Sequence, residues 1–135
     1  VAGYSGTPLW KKLGYKPGIA AFVDGAPEGY VRLLGLPADV PVTWLTRPGP
    51  DVAFVHLFAP SRSALRTGIA SHRRRLAPDG VLWVSWPKRS SGVETDATED
   101  AVREIALPLG LVDIKVCAVD MVWSGLKLVI RRELR

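Results

Sequence analysis

The chain has 135 residues, 47% hydrophobic and 23% charged, the balance of one folded domain with its own core, which excludes long disorder. No run of eighteen apolar residues occurs, so neither a membrane-spanning helix nor a membrane partner is expected. Cys117 is the single cysteine and cannot form a disulfide within the chain, and the opening "VAGYSGTPLWKK" sets no apolar stretch behind a basic start; a cytoplasmic location is the expectation.

The net charge of +5 raises the question of nucleic acid, so the position of the basic residues matters more than their number. They gather as Arg73, Arg74 and Arg75, as Lys88 and Arg89, and as Arg131, Arg132 and Arg135. The first group fits the last turn of a helix, where cations complement the dipole, and no nucleic-acid motif accompanies any of them.

Taken in chain order, "SGTPLWKKL" over 5–13 predicts a short helix with Thr7 as cap and Pro8 in the first turn. "IAAFV", 19–23, is continuously apolar, as a strand covered on both faces would be. Glu28 to Leu34 read as a short helix, "VTWLT" at 42–46 as a second strand, and "VAFVHLF" at 52–58 as a third. Leu65, Ile69, His72 and Leu76 then recur at helical spacing, and "APDG" is expected to end that helix before the strand "VLWVSW", 81–86. A further helix begins at Asp96 or Thr98, with Glu99 suiting a capping box behind Asp96. It buries Val102, Ile105, Ala106 and Leu109 and stops at Gly110.

The last two strands alternate, and alternation marks half-buried strands near a sheet edge. Val112, Ile114, Val116 and Ala118 are expected on one side, with Asp113, Lys115 and Cys117 on the other; Leu126, Leu128 and Ile130 alternate with Lys127, Val129 and Arg131. "DMVWSG" between them is too short for a crossover helix, so the pair is antiparallel. The fold class that follows is α/β, a three-layer Rossmann-like sandwich with a mostly parallel sheet ending in an antiparallel hairpin, in one domain over 1–135.

This order resembles a shortened class I S-adenosylmethionine-dependent methyltransferase, and "LAPDGVLWVSW" is similar to that family's helix end and following core strand. The resemblance implies a cofactor turn after the first strand, with Asp24 and Gly25 near the family's acid and first glycine. The family's second acid, which grips the ribose, falls near Thr46 and Arg47, with no carboxylate until Asp51. More closely, "GYSGTPLWKKLG", "LWVSWPK" and "VWSGLKLV" resemble segments of a family of small bacterial proteins with no established activity.

In open α/β sheets ligands collect at the carboxyl ends of the parallel strands. That rule gathers Asp24, Gly25 and Glu28 with Ala59–Arg62, with Ser85, Trp86 and Lys88 of "SWPKRSSG", and with Asp120, Trp123 and Ser124 as a candidate small-ligand pocket. Trp86 offers a stacking face and Lys88 or Arg89 a cation. Pro27 has no N–H to give, and Asp24 and Glu28 make the turn negative, so a cofactor with a cationic centre is preferred there to a triphosphate. Tyr4, Thr7 and Trp10 are placed either as a lid over the pocket or at an interface with a second copy of the chain.

Other chemistries have less support. His56 and His72 read as core histidines, no metal-ligand spacing is present, and no Gly-x-Ser-x-Gly elbow occurs. Cys117 reads as structural, on a strand flank without nearby cations, and Asp96, Glu99 and Asp100 as helix-capping acids. With no catalytic set complete, the residues favour a noncatalytic module that binds a small ligand or a protein partner. A minimal methyltransferase using S-adenosylmethionine, with Asp24 as the surviving cofactor acid, is one alternative. A nucleic-acid accessory protein using Arg73–Arg75, Lys88 and Arg89 is the other.

Overall fold

The computed structural model describes residues 6–135. Among these, six strands form one sheet: β1 (Ala20–Asp24), β2 (Thr43–Trp44), β3 (Val52–Phe58), β4 (Leu76–Pro87), β5 (Leu111–Ala118) and β6 (Trp123–Ile130). Their order across the sheet is β2-β1-β3-β4-β6-β5. The first four run parallel, and β6 is antiparallel to both β4 and β5. The chain moves outward from β1 to β2 and then returns to the other side of β1 as β3, so strand order reverses there.

Alternation along each strand sorts side chains onto two faces. On one, Leu57, Leu82, Leu126 and Leu128 meet Leu65 and Ile69 of α3 (Arg62–Arg75) and Val102 of α4 (Glu99–Ala106). On the other, Phe54 and Trp83 meet Leu13 of α1 (Leu9–Leu13), Tyr15, and Tyr30 and Leu34 of α2 (Tyr30–Leu34). This is the three-layer α/β arrangement expected from the order of apolar runs. Burial of each such large side chain contributes roughly 1.5–3 kcal/mol. Gly68 brings α3 close to the sheet, since a Cβ there would lie 2.6 Å from Leu57 Cδ2. With any larger residue there, either the Leu57 side chain or the helix would have to shift.

Several expected elements differ in detail, each for a local reason. Residue 5 lies outside the described residues; α1 starts only at Leu9, with Pro8 as the extended residue before it and no side-chain cap. The helix after β1 starts at Tyr30, because Gly29 adopts φ 82° and holds Glu28 outside it. β2 has two residues, bounded by Pro41 before and Pro48 and Pro50 after, none of which can donate to a ladder. Leu76 is not on the helix but opens β4: it is extended, at φ −71° and ψ 133°, and pairs with Val52. "APDG" therefore lies within β4, which runs twelve residues, and α3 passes into it without a loop.

Thr98, not Asp96, caps α4, its side chain accepting from Ala101 N–H at 3.0 Å. Asp96 instead accepts from Arg62 N–H at 2.7 Å, tying the two helix starts together. In β5 the simple alternation breaks at a bulge: Asp113 pairs with Leu128 and Lys115 with Lys127, so Ile114 is an extra residue. Asp113 thereby turns to Arg103 of α4, at 3.0 Å, while Lys115 faces α1, its Nζ donating to Lys12 O at 3.2 Å. Thr98→Ala removes the α4 cap and is expected to cost about 1 kcal/mol, read as a lower urea midpoint with unchanged slope.

Candidate functional site

The reversal of strand order at β1 leaves room at the carboxyl ends of β1, β2 and β3, where outgoing loops diverge. Gly25 makes the turn out of β1 with φ 75°; a Cβ there would sit 2.8 Å from Phe58 O, so only glycine lets the turn lie against the end of β3. Asp24, one residue earlier, shares its face with Phe22 and points to α3. Its Oδ2 pairs with His72 Nε2 at 2.8 Å. His72 is buried and one turn beyond Gly68, so the close approach of α3 is what lets it reach. Its Nδ1 is buried without a partner among the described residues.

The turn then crosses to the opposite face. Ala26, Pro27 and Glu28, with Val23, Tyr30 and Trp44, line a cavity of about 720 Å³ between the ends of β1 and β2. Glu28 is the one carboxylate on its wall, and Trp44 its exposed aromatic ring. Both fixed walls rest on Tyr15. Its ring lies 5.7 Å from that of Trp44 and 4.3 Å from Phe54, and its hydroxyl meets Tyr30 Oη at 2.7 Å.

From Tyr30 the hydrogen bonds continue inward. Tyr30 Oη meets His56 Nδ1 at 2.8 Å, and His56 Nε2 meets Ser85 Oγ at 2.7 Å. All four residues are buried, so every link replaces water that the interior excludes. Burial raises both tyrosine pKa values and lowers that of His56 to about 3, so the chain is uncharged at neutral pH. The imidazole donates from one nitrogen and accepts at the other, and the hydroxyls turn to suit. Sequence reasoning placed His56 in the core but missed its partners, because Tyr15 and Tyr30 each stand in short polar contexts that show no pairing. Nothing short of the fold brings them together.

The six candidate pocket residues divide among different places. Glu28 lines the β1–β2 cavity, Gly25 packs the turn on β3, and Asp24 engages His72. Ser85 is fully buried within the hydrogen-bond chain. Trp86 lines a second cavity of about 640 Å³, with Arg89, Thr95 and Glu99. Lys88 is half-buried beside it, its N–H donating to Val122 O at 2.7 Å and so joining this loop to the β5–β6 turn. In that turn Asp120 accepts from Val122 N–H and Trp123 N–H, and Trp123 stands edge-on to Phe58 at 5.1 Å. Trp123 thus anchors the hairpin on the core.

Tyr4 lies outside the described residues. Trp10 packs against the α1-side core, with the Lys11 ammonium 5.6 Å from its ring centre. Among the basic residues, Arg73 donates to Leu109 O and Arg75 to Pro48 O, so both close backbone carbonyls rather than stand free for a polyanion. Cys117 is buried, and its surroundings differ from the expectation: Lys12 and Lys115 both lie near enough to pull its pKa down, though burial outweighs them.

Solved structures share this arrangement. An Aquifex aeolicus SAM dependent methyltransferase matches with TM-score 0.60 at 16% identity, covering 89% of this chain and 86% of that one. The Methanococcus jannaschii fibrillarin pre-rRNA processing protein matches with TM-score 0.61 at 12% identity, covering 87% and 68%. DhpI in complex with SAH matches with TM-score 0.59 at 13% identity, covering 91% and 82%. The fold is that of the SAM-dependent methyltransferases. No protein-family model matches the chain, and no curated protein matches it in sequence. The likeness to a family of small bacterial proteins finds no support in these comparisons. No helix among the described residues is long and apolar enough to cross a membrane.

The depressed pKa of His56 sets a pH dependence. An unfolded histidine titrates near 6.5, so below that pH the unfolded state takes up a proton that the native state refuses until about pH 3. This contribution to stability is complete above pH 6.5 and is lost as pH falls, by roughly 3 kcal/mol at pH 4. Urea unfolding at pH 7 and pH 4 is expected to show that loss, and His56→Asn, less stable at pH 7, to show a shallower one.

Proposed function

We propose that the chain binds S-adenosylmethionine in the β1–β2 cavity and acts as a pared-down methyltransferase. The observation that carries this reading is the cavity itself, about 720 Å³ at the strand ends beside the order reversal, with an aromatic ring and a carboxylate on its wall. Its residues fit the group. Trp44 gives a flat face for the adenine, and Glu28 accepts from the ribose hydroxyls in place of the acid missing from the end of β2. The carboxylate of Glu28 favours a sulfonium centre, and Pro27 withholds the N–H that a phosphate would seek.

When bound, the cofactor supplies an activated methyl group for transfer to a nucleophile. The chain's part is to hold and orient. Trp44 and Tyr30 are both fixed through Tyr15, so the cavity wall is set before a ligand arrives and little ordering remains to be done on binding. The engagement of Asp24 with His72 leaves Glu28 and Arg32 as the charged residues of the cavity wall.

Calorimetric titration with S-adenosylmethionine is the test. Saturable binding at micromolar concentration is expected, weakened at least tenfold in Glu28→Gln and in Trp44→Ala. Absence of heat, together with an unchanged melting temperature at millimolar ligand, would refute the proposal and leave the noncatalytic module as the better reading.

A further inference from the structure

At the sheet edge opposite the β2 cavity, one row of paired residues crosses the α1 side of the sheet. His56 pairs with Trp83, Trp83 with Lys127, and Lys127 with Lys115. The β5 bulge at Ile114 is what puts Lys115 in this row rather than on the far face. Two ammonium side chains directly opposite one another on neighbouring antiparallel strands repel, and such pairs destabilise a sheet. A third cation stands by: Lys16, in the turn after α1, is close enough for its charge to act on Lys127. Burial above all, and then the charges of Lys115 and Lys16, lower the Lys127 pKa. Lys12 and Lys115 in turn act on the Cys117 thiol, two residues along β5 from Lys115.

Among the described residues, no carboxylate pairs with Lys16, Lys115 or Lys127. Lys115 is partly accounted for by its bond to Lys12 O near the end of α1. Lys127 is not: it is half-buried, faces a like charge across the strand pair, and has no hydrogen-bond acceptor among the described residues. Every lysine of the chain except Lys88 lies on α1, in the turn after it, or on β5 and β6, where no arginine occurs.

We propose that Lys16, Lys115 and Lys127, with Lys12 at the rim, form a binding site for a phosphate group. The residue type supports phosphate over carboxylate. An ammonium is a compact charge with rotatable donors, suited to surround a tetrahedral dianion from several sides, whereas planar two-oxygen carboxylates are matched by the guanidinium fork absent here. The anion would replace mutual repulsion by three attractions, so binding must stabilise the fold. Phosphate is common to phosphorylated small molecules and to a nucleic-acid backbone.

The test compares the whole chain with Lys127→Met, using pyrophosphate and a short single-stranded DNA oligonucleotide as separate probes at matched ionic strength. Without ligand, Lys127→Met is expected to melt at a higher temperature, since a facing like charge is gone. Its affinity for the probe that binds the wild type is expected to fall at least tenfold. Arg66→Ala, exposed on α3 across the sheet, binds as the wild type does, and Lys115→Met repeats the reading should Lys127→Met fail to fold. Binding of pyrophosphate alone identifies a small phosphorylated ligand, and binding of the oligonucleotide alone a nucleic-acid backbone. Equal affinities in wild type and lysine variants, or no saturable binding of either probe, overturn the proposal.

Discussion

The hydrogen-bond chain from Tyr15 through Tyr30 and His56 to Ser85 is the constraint on which the α1 face depends. It joins the segment after α1, the start of α2 and the neighbouring strands β3 and β4, each from a different stretch of sequence. A buried polar chain is stable only when every link is closed, because an open link leaves a donor or acceptor without water. Neutrality makes the burial tolerable: no member carries charge at pH 7, so no counter-ion is required. The same contacts fix Tyr30 and Trp44, so the geometry of the β1–β2 cavity follows from that of the core.

Shortness at the β2 edge shapes the other side of the cavity. With β2 reduced to two residues and α2 to five, the region past β1 is covered thinly, and Trp44 stands more than a third exposed at 37%. A fuller sheet would bury this ring against a further strand. Here the ring keeps a wet face, and the carboxylate it accompanies comes from the β1 turn instead of the strand beside it.

Much of the architecture was legible in the sequence, because apolar runs and helical spacing report burial directly. The runs at 52–58 and 81–86, the helix bearing Leu65 and Ile69, and the closing hairpin all reappear in the fold. What was not legible depends on tertiary neighbours. Leu76 has helical spacing from His72, yet pairing with Val52 makes it a strand residue. Ile114 continues a period of two, yet the ladder to β6 skips it. Asp24 stands where a cofactor acid would, and only the approach of α3 at Gly68 shows that it meets His72. Ser85 and Trp86 are adjacent in sequence, but strand alternation sends one into the hydrogen-bond chain on the α1 side and the other into the core on the α3–α4 side, where it also lines a cavity. Local pattern therefore gave the layers, and long-range contacts decided the site.

The bulge at Ile114 also bears on how this molecule behaves in concentrated solution. β5 is the last strand of the sheet, and Ile114 and Val116 are 55% and 50% exposed along it, a combination that in a regular strand would invite a neighbour to dock and the sheet to grow. The extra residue breaks the even spacing of the outward amide and carbonyl groups, and Asp113 and Lys115 flank it with charge. A strand approaching in register meets an interrupted row of donors and acceptors. The irregularity that turns Lys115 toward α1 thus also keeps an apolar margin from becoming a template for aggregation.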